Sequence, residues 1–251
     1  MTSFENHKTT RTATELPARS SALETEWLAT LDYLEAWELQ REMVAARLAD
    51  PALTDRVLLL EHPPTYTLGR SGKWEHLLYS QTELEQQGIQ VVEVDRGGDI
   101  TYHGPGQLVG YPILNIKRLH QRLGMERPDL HKYLRDLEQA LIDLLAAFDI
   151  EGFRYPRYTG VWVEAKGERK KIAAIGVRVN HRGITSHGFA LNVNPNLAHF
   201  SGIIPCGIRE HGVTSMAECL GREIGISDVL GSVRNMLERV LVSPVPIATP
   251  G

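Results

Sequence analysis

The stretch GVWVEAKGERKKIAAIGVRVNHRGITSHGFALNVN, Gly160 to Asn194, decides the fold. "GVWVEA" and "KIAAIGVRV" are rich in strand-forming residues and flank the charged segment "KGERK", the pattern of a hairpin. "GITSHGFALNVN" adds two more strand-like pieces. Strands that follow strands point to an α+β domain with a mixed, largely antiparallel sheet. Helices are expected to cover that sheet.

Working outward, "RPDLHKYLRDLEQALIDLLAAFDI" is expected to be a helix. Leu130, Tyr133, Leu137, Leu141, Leu144 and Phe148 form one apolar stripe, and Pro128 stands near its start. Two further helices are expected at about 214–220 and 226–242. "DRVLLLEH" reads as a strand that ends where Pro63, Pro64, Gly69 and Gly72 break regular structure. Residues 22–50 are expected to form one long amphipathic helix, because Trp27, Leu31, Leu34 and Trp37 recur at helical spacing. Residues 1–22 read as a disordered tail, 23–243 as one domain and 244–251 as a second tail.

The 251 residues are 42% hydrophobic and 23% charged, ordinary globular composition. A formal net charge of -4 lacks the basic footprint of general nucleic-acid binding. Neither a secretory signal nor a run of about 20 apolar residues is visible, so a soluble cytoplasmic chain off the membrane is expected. Two cysteines make no disulfide framework, and scattered histidines without a Cys-x2-Cys or His-Glu-x2-His pattern suggest no metal.

Four segments could carry chemistry. "DRGGDITYHGPGQ", Asp95 to Gln107, is expected to be a glycine-rich loop between two strands. It reads either as a surface turn or as a place where backbone meets ligand closely. It lacks the phosphate-loop pattern and leads to a strand, so it is no dinucleotide fingerprint. Lys171 opens a run with the small residues Ala173, Ala174 and Gly176, which would leave a channel along the strand. Gly188 and Ala190 keep side-chain volume low beside His187. Cys206 lies between Pro205 and Gly207, near Arg209 and His211. On these residues alone it is either a structural thiol or a nucleophile ionised by nearby charge. Cys219, on an expected helix, reads as a small core residue.

Taken together, "LEHPPTYTLGR", "RGGDITYHGPGQLVGYPIL", "KIAAIGVRV", "HGFALNVN" and "IIPCGI" resemble the successive blocks of the lipoyl(octanoyl) transferase family, from about Trp27 to about Val242. The resemblance implies a fold of the biotin/lipoate protein ligase type. It implies ATP-independent transfer of an octanoyl (or lipoyl) group, the first step of protein lipoylation, with no cofactor. The donor would be octanoyl-acyl carrier protein. The acceptors would be lysines of lipoyl domains in 2-oxoacid dehydrogenase complexes and of the glycine cleavage H protein. Cys206 matches the acyl-accepting cysteine and Lys171 the lysine that tunes it. Arg96, Gly97, Gly98, Asp99, Ile100, Thr101, Tyr102 and His103 match one substrate-binding block. Ala174, Ile175 and Gly176 match a second, and Gly188, Phe189 and Ala190 a third. His103 would either bond near the thioester or order its loop. Arg70, Lys73, Arg169 and Lys170 are candidate docking charges for an acidic carrier. The tail is longer than the family core requires, and "VNHRGIT" looks one residue longer than in some relatives. A monomer is expected. An ATP-dependent ligase on the same fold, a non-catalytic binding module and a cysteine amidase are the alternatives.

Overall fold

The computed structural model describes residues 23–207 and 210–242. The expected tails, 1–22 and 244–251, lie outside the described residues. The chain begins with strand β1 (Leu23–Thr30) and helix α1 (Tyr33–Ala49), then β2 (Asp55–Glu61) and β3 (Thr65–Leu68). Next come α2 (Gln81–Gln87), β4 (Gln90–Glu93), β5 (Ile100–His103) and β6 (Gln107–Ile113). Helices α3 (Ile116–Arg122) and α4 (Leu130–Ala146) lead to β7 (Gly152–Tyr155), β8 (Tyr158–Ala165), β9 (Glu168–Val179) and β10 (Thr185–Asn192). Helices α5 (Met216–Leu220) and α6 (Ile226–Leu241) close the described chain.

Among the described residues, seven strands form one sheet in the order β1-β2-β6-β10-β9-β8-β7, and three form a second, β4-β3-β5. The β1/β2 and β3/β4 pairs are parallel and the remaining pairs antiparallel. The sheet is therefore mixed and largely antiparallel, as the strand-after-strand pattern implies. Alternation along β2 explains how both faces of the large sheet are used. Val57 and Leu59 join the core beneath α4 and α6, whereas Leu58 and Leu60 join Ala36 of α1 on the other side. Leu137, Leu141 and Leu144 of α4 meet Val229, Val233 and Leu237 of α6 over the first face. The small sheet has its own core of Tyr66, Leu68, Ile100, Tyr102, Phe200 and Ile203. No helix among the described residues is long and apolar enough to cross a membrane.

Several expectations need correction. Residues 22–50 do not form one helix. "LETEWLAT" is β1, paired in parallel with β2, and its alternation is that of a strand. Asp32 then starts α1, its side chain accepting from the N–H groups of Leu34 and Glu35 at 2.8 and 3.4 Å. Trp27 packs against the main core, while Trp37, on α1, sits 6.1 Å from the His187 ring, so the two never share a stripe. In the hairpin, Lys166 and Gly167 alone make the turn, with φ of 55° and 78°. That positive-φ pair matches the twist of the flanking strands, so β9 starts at Glu168 rather than Lys171. Residues 185–192 form one strand, not two pieces. On α4, Leu130 is exposed, and Phe148 lies beyond the helix end, although it packs against the core.

Leu137 is fully buried between α4 and the sheet. Leu137→Ala is expected to lower stability by about 2–5 kcal/mol, read from the midpoint of urea denaturation.

Candidate functional site

Where the two sheets meet, a narrow cleft opens between the Arg96–Asp99 loop and the middle of β9 and β10. Its walls are Gly97, Gly98, Ala174, Ile175, Gly176, Gly188, Phe189 and Ala190, with Arg96, Asp99 and Thr101 also lining it. Tyr33, His103, Val109, Tyr111 and His187 complete it. Three blocks distant in sequence thus meet at one slot. Two residues of the first block do not line it. Ile100 and Tyr102 alternate with Thr101 and His103 along β5, and their side chains enter the core of the small sheet. Ala173, expected as a slot wall, packs into the main core instead. "DRGGDITYHGPGQ" is likewise not one loop, because its centre is strand β5.

The loop lies backbone against backbone on β9. Gly97 N–H donates to Val177 O at 3.0 Å, and a Cβ on Gly176 would lie 2.8 Å from Gly97 O. Arg96 braces this contact. Its Nη2 donates to Thr67 O and Oγ1 at 2.6 and 2.8 Å, and its Nη1 to Gly97 O at 2.9 Å. The guanidinium therefore ties β3 to the loop.

Most polar groups of the cleft have protein partners, with His187 Nδ1 the exception. His103 Nδ1 bonds to Gln107 Oε1 at 2.8 Å, and its Nε2 lies 3.3 Å from Thr67 Oγ1. The Gln107 amide nitrogen donates to Tyr102 O and Asn192 Oδ1, so Oε1 accepts and His103 Nδ1 carries the proton. His103 thus links β5 to β6 and β3 through both ring nitrogens. Behind it, His62 Nδ1 donates to Leu31 O and Nε2 accepts from Tyr111 Oη, each at 2.7 Å. Burial pushes His62 down to about 4 and holds His103 well below the ordinary histidine value. His187 Nε2 donates to Asp95 Oδ1 at 2.8 Å; burial lowers His187 and this bond lowers Asp95. The slot is lined by neutral imidazoles.

Lys171 is turned out of the main core by an irregularity in β9. Trp162 pairs with Lys171 but the next residue back, Val161, pairs with Ala173, so Ile172 is an extra residue. Such a bulge breaks alternation. Ile172 and Ala173 both enter the main core, and Lys171 turns to the face opposite. There its Nζ donates to Thr159 O at 3.2 Å and sits 5.0 Å from the centre of the Trp162 ring. Lys171 is 7% exposed. Glu138, buried on α4, holds Gly160 N–H at 3.0 Å and so fixes the backbone beside the lysine.

The segment carrying Cys206 is tied down at both ends. Before it, Ile203 bridges to Leu77 and Ile204 N–H donates to His76 O at 2.8 Å. After it, Val213 pairs in parallel with Lys171: Lys171 N–H donates to Gly212 O, and Thr214 N–H donates to Lys171 O, both at 3.0 Å. Pro205–Gly207 forms a single 3-10 turn between these anchors. Cys219 is half-buried against the main core, and burial raises its thiol. Tyr33, His62 and Tyr111 escaped the sequence reading. Tyr33 was hidden inside the over-long helix, and only the "LEHPP" block pointed toward His62.

Folding costs the buried histidines proton affinity, so the unfolded chain binds more protons between about pH 4 and 6.5. Stability is expected to fall as pH drops through that window, by about 3 kcal/mol for His62 alone, and His62→Asn should flatten the dependence. Urea titrations from pH 4 to 8 read it.

The family described as "Lipoyl protein ligase A/B catalytic domain" matches residues 32–238. An octanoyltransferase of Rubrobacter xylanophilus is 49% identical over 232 residues, which is 92% of this chain and 99% of the relative. Another, of Caldicellulosiruptor saccharolyticus, is 45% identical over 216 residues, 85% of this chain and 86% of the relative. Among solved structures, the bi-partite lipoate protein ligase of Thermoplasma acidophilum has a TM-score of 0.66 over 87% of this chain and 84% of its own, at 15% identity. That likeness concerns the fold, and it is the fold expected from the five sequence blocks. The length of the family match and relatives near half identical place this chain among the octanoyltransferases of the lipoyl protein ligase A/B catalytic-domain family.

Proposed function

We propose that the chain, as one catalytic domain over 23–243, moves an octanoyl group from acyl carrier protein to a lysine of a lipoyl domain, with Cys206 as acyl carrier and Lys171 as its proton partner. We place a monomer in the cytoplasm, serving lipoyl domains of 2-oxoacid dehydrogenase complexes and the glycine cleavage H protein. The observation that carries the reading is the bulge at Ile172, which takes Lys171 out of the core while its backbone holds the segment that follows Cys206. The apolar slot is lined by Ala174, Ile175 and Gly176, farther along the strand that carries Lys171.

The donor is already a thioester, so no ATP is required. In this reading the Cys206 thiolate, with the Lys171 ammonium as its counter-ion, attacks the octanoyl carbonyl. The tetrahedral intermediate collapses, the carbon–sulfur bond to the carrier's arm breaks, and the departing thiolate takes the Lys171 proton. Lys171 is then a neutral amine. The acceptor lysine attacks the Cys206 thioester and passes its proton to Lys171, and Cys206 leaves as thiolate. The amide is formed and the starting ion pair is restored. A backbone N–H aimed at the oxyanion would contribute roughly 3 kcal/mol. The octanoyl chain would lie between Ala174, Gly176, Gly188 and Ala190, each buried CH2 contributing about 0.8 kcal/mol.

Mixed with octanoyl-carrier protein and no ATP, the protein is expected to gain an octanoyl mass that hydroxylamine removes. Cys206→Ala should gain none. Lys171→Ala should slow both half-reactions by about a hundredfold. An unchanged adduct in Cys206→Ala, or activity that requires ATP and free octanoate, overturns the reading.

A further inference from the structure

We propose that His76 and Asp99 form a positioning pair for Cys206, seating the turn that carries it at the mouth of the slot. The inference rests on the octanoyl-transfer reading of that turn. Asp99 lines the slot, and its Oδ1 accepts from Ile100 N–H at 2.7 Å and Lys73 N–H at 3.2 Å. Its Oδ2 lies 2.5 Å from His76 Nδ1. An ionised carboxylate only accepts, so the imidazole proton is on Nδ1. The two side chains are 13% and 12% exposed, so little water competes with this bond.

Gly207, the residue after Cys206, rests directly on the pair. A Cβ at Gly207 would lie 3.0 Å from Asp99 Oδ2 and 3.2 Å from His76 Cε1. A φ of +69° favours glycine, and a side chain there would press on both members of the pair. The turn also closes on itself and on the main chain of His76. Gly207 N–H donates to Ile204 O at 3.0 Å, and Ile204 N–H donates to His76 O at 2.8 Å. His76 therefore holds the start of the turn through its carbonyl, while its ring lies against the side of Gly207 where a Cβ would stand. Asp99 joins that ring to the slot wall, and Glu75 Oε1 is 3.9 Å from Nε2 on the outer side. A nucleophile displaced by about 1 Å can lose about a hundredfold in rate, so such a seat has kinetic weight.

The test compares His76→Ala, His76→Asn and His76→Gln. Asparagine places an amide N–H where Nδ1 stands and can still donate to Asp99; glutamine reaches toward the Nε2 position and cannot. The octanoylation rate of Cys206 is expected to fall at least tenfold in the alanine and glutamine variants, to recover in the asparagine variant, and thermal midpoints should stay comparable. Equal losses in all three would overturn positioning in favour of proton transfer by the imidazole. Wild-type rates in His76→Ala would overturn the pair altogether. Alkylation of Cys206 by iodoacetamide, with Cys219 as internal reference, reads the turn without any acyl donor. A relative rate shifted at least threefold by alanine and glutamine, and restored by asparagine, supports the pair; an unshifted rate overturns it. If the wild-type protein takes no octanoyl group, the transfer reading fails while this second measurement still decides the pair.

Discussion

The site depends on a single inserted residue in a strand. Regular alternation along β9 would send Lys171 to the same side as Ala173, into the core beneath α4 and α6. Because Ile172 is extra, it and Ala173 share that core and the lysine emerges on the other face. The same stretch of backbone then receives Gly212 and Thr214 as a short parallel pair. One irregularity thus aims a side chain and anchors the loop that brings in Cys206.

Close packing of backbone does the rest. Loop 96–99 leans on β9 where Gly176 offers no Cβ, and Arg96 fixes its back to Thr67. Buried arginine and histidine are costly unless satisfied; Arg96 and both ring nitrogens of His103 have protein partners, whereas His187 is bonded through Nε2 alone. Burial lowers the histidines, which favours their neutral forms, so the formal charges at the slot are those of Arg96 and Asp99, each tied to protein partners.

Much of this was legible in the residues. The β8–β9 hairpin, β2, α4 and α6 follow from period and turn chemistry, and the ordered blocks identified the family and the three groups that meet at the cleft. What misled was local. The Trp27–Trp37 spacing mimics a helix, while parallel pairing with β2, a contact between distant segments, makes Leu23–Thr30 a strand. Glycine content suggested a long loop at 95–107, whereas pairing with β3 makes its centre a strand and turns Ile100 and Tyr102 away. The bulge leaves no mark in composition, since Ile172 and Ala173 look like ordinary strand residues. His76, in a short turn after "TLGRSGK", carried no pattern to single it out.

Ile203 and Ile204, ahead of Cys206, are held by residues beside the small sheet, and Gly212–Thr214, after it, by the large sheet. These two anchors belong to separately packed cores. A change that shifts one core against the other, however far from the cleft, moves one anchor relative to the other. Loss of catalysis should therefore precede loss of structure when the protein is heated or perturbed, and the active geometry serves as the molecule's most sensitive gauge of how its two halves are aligned.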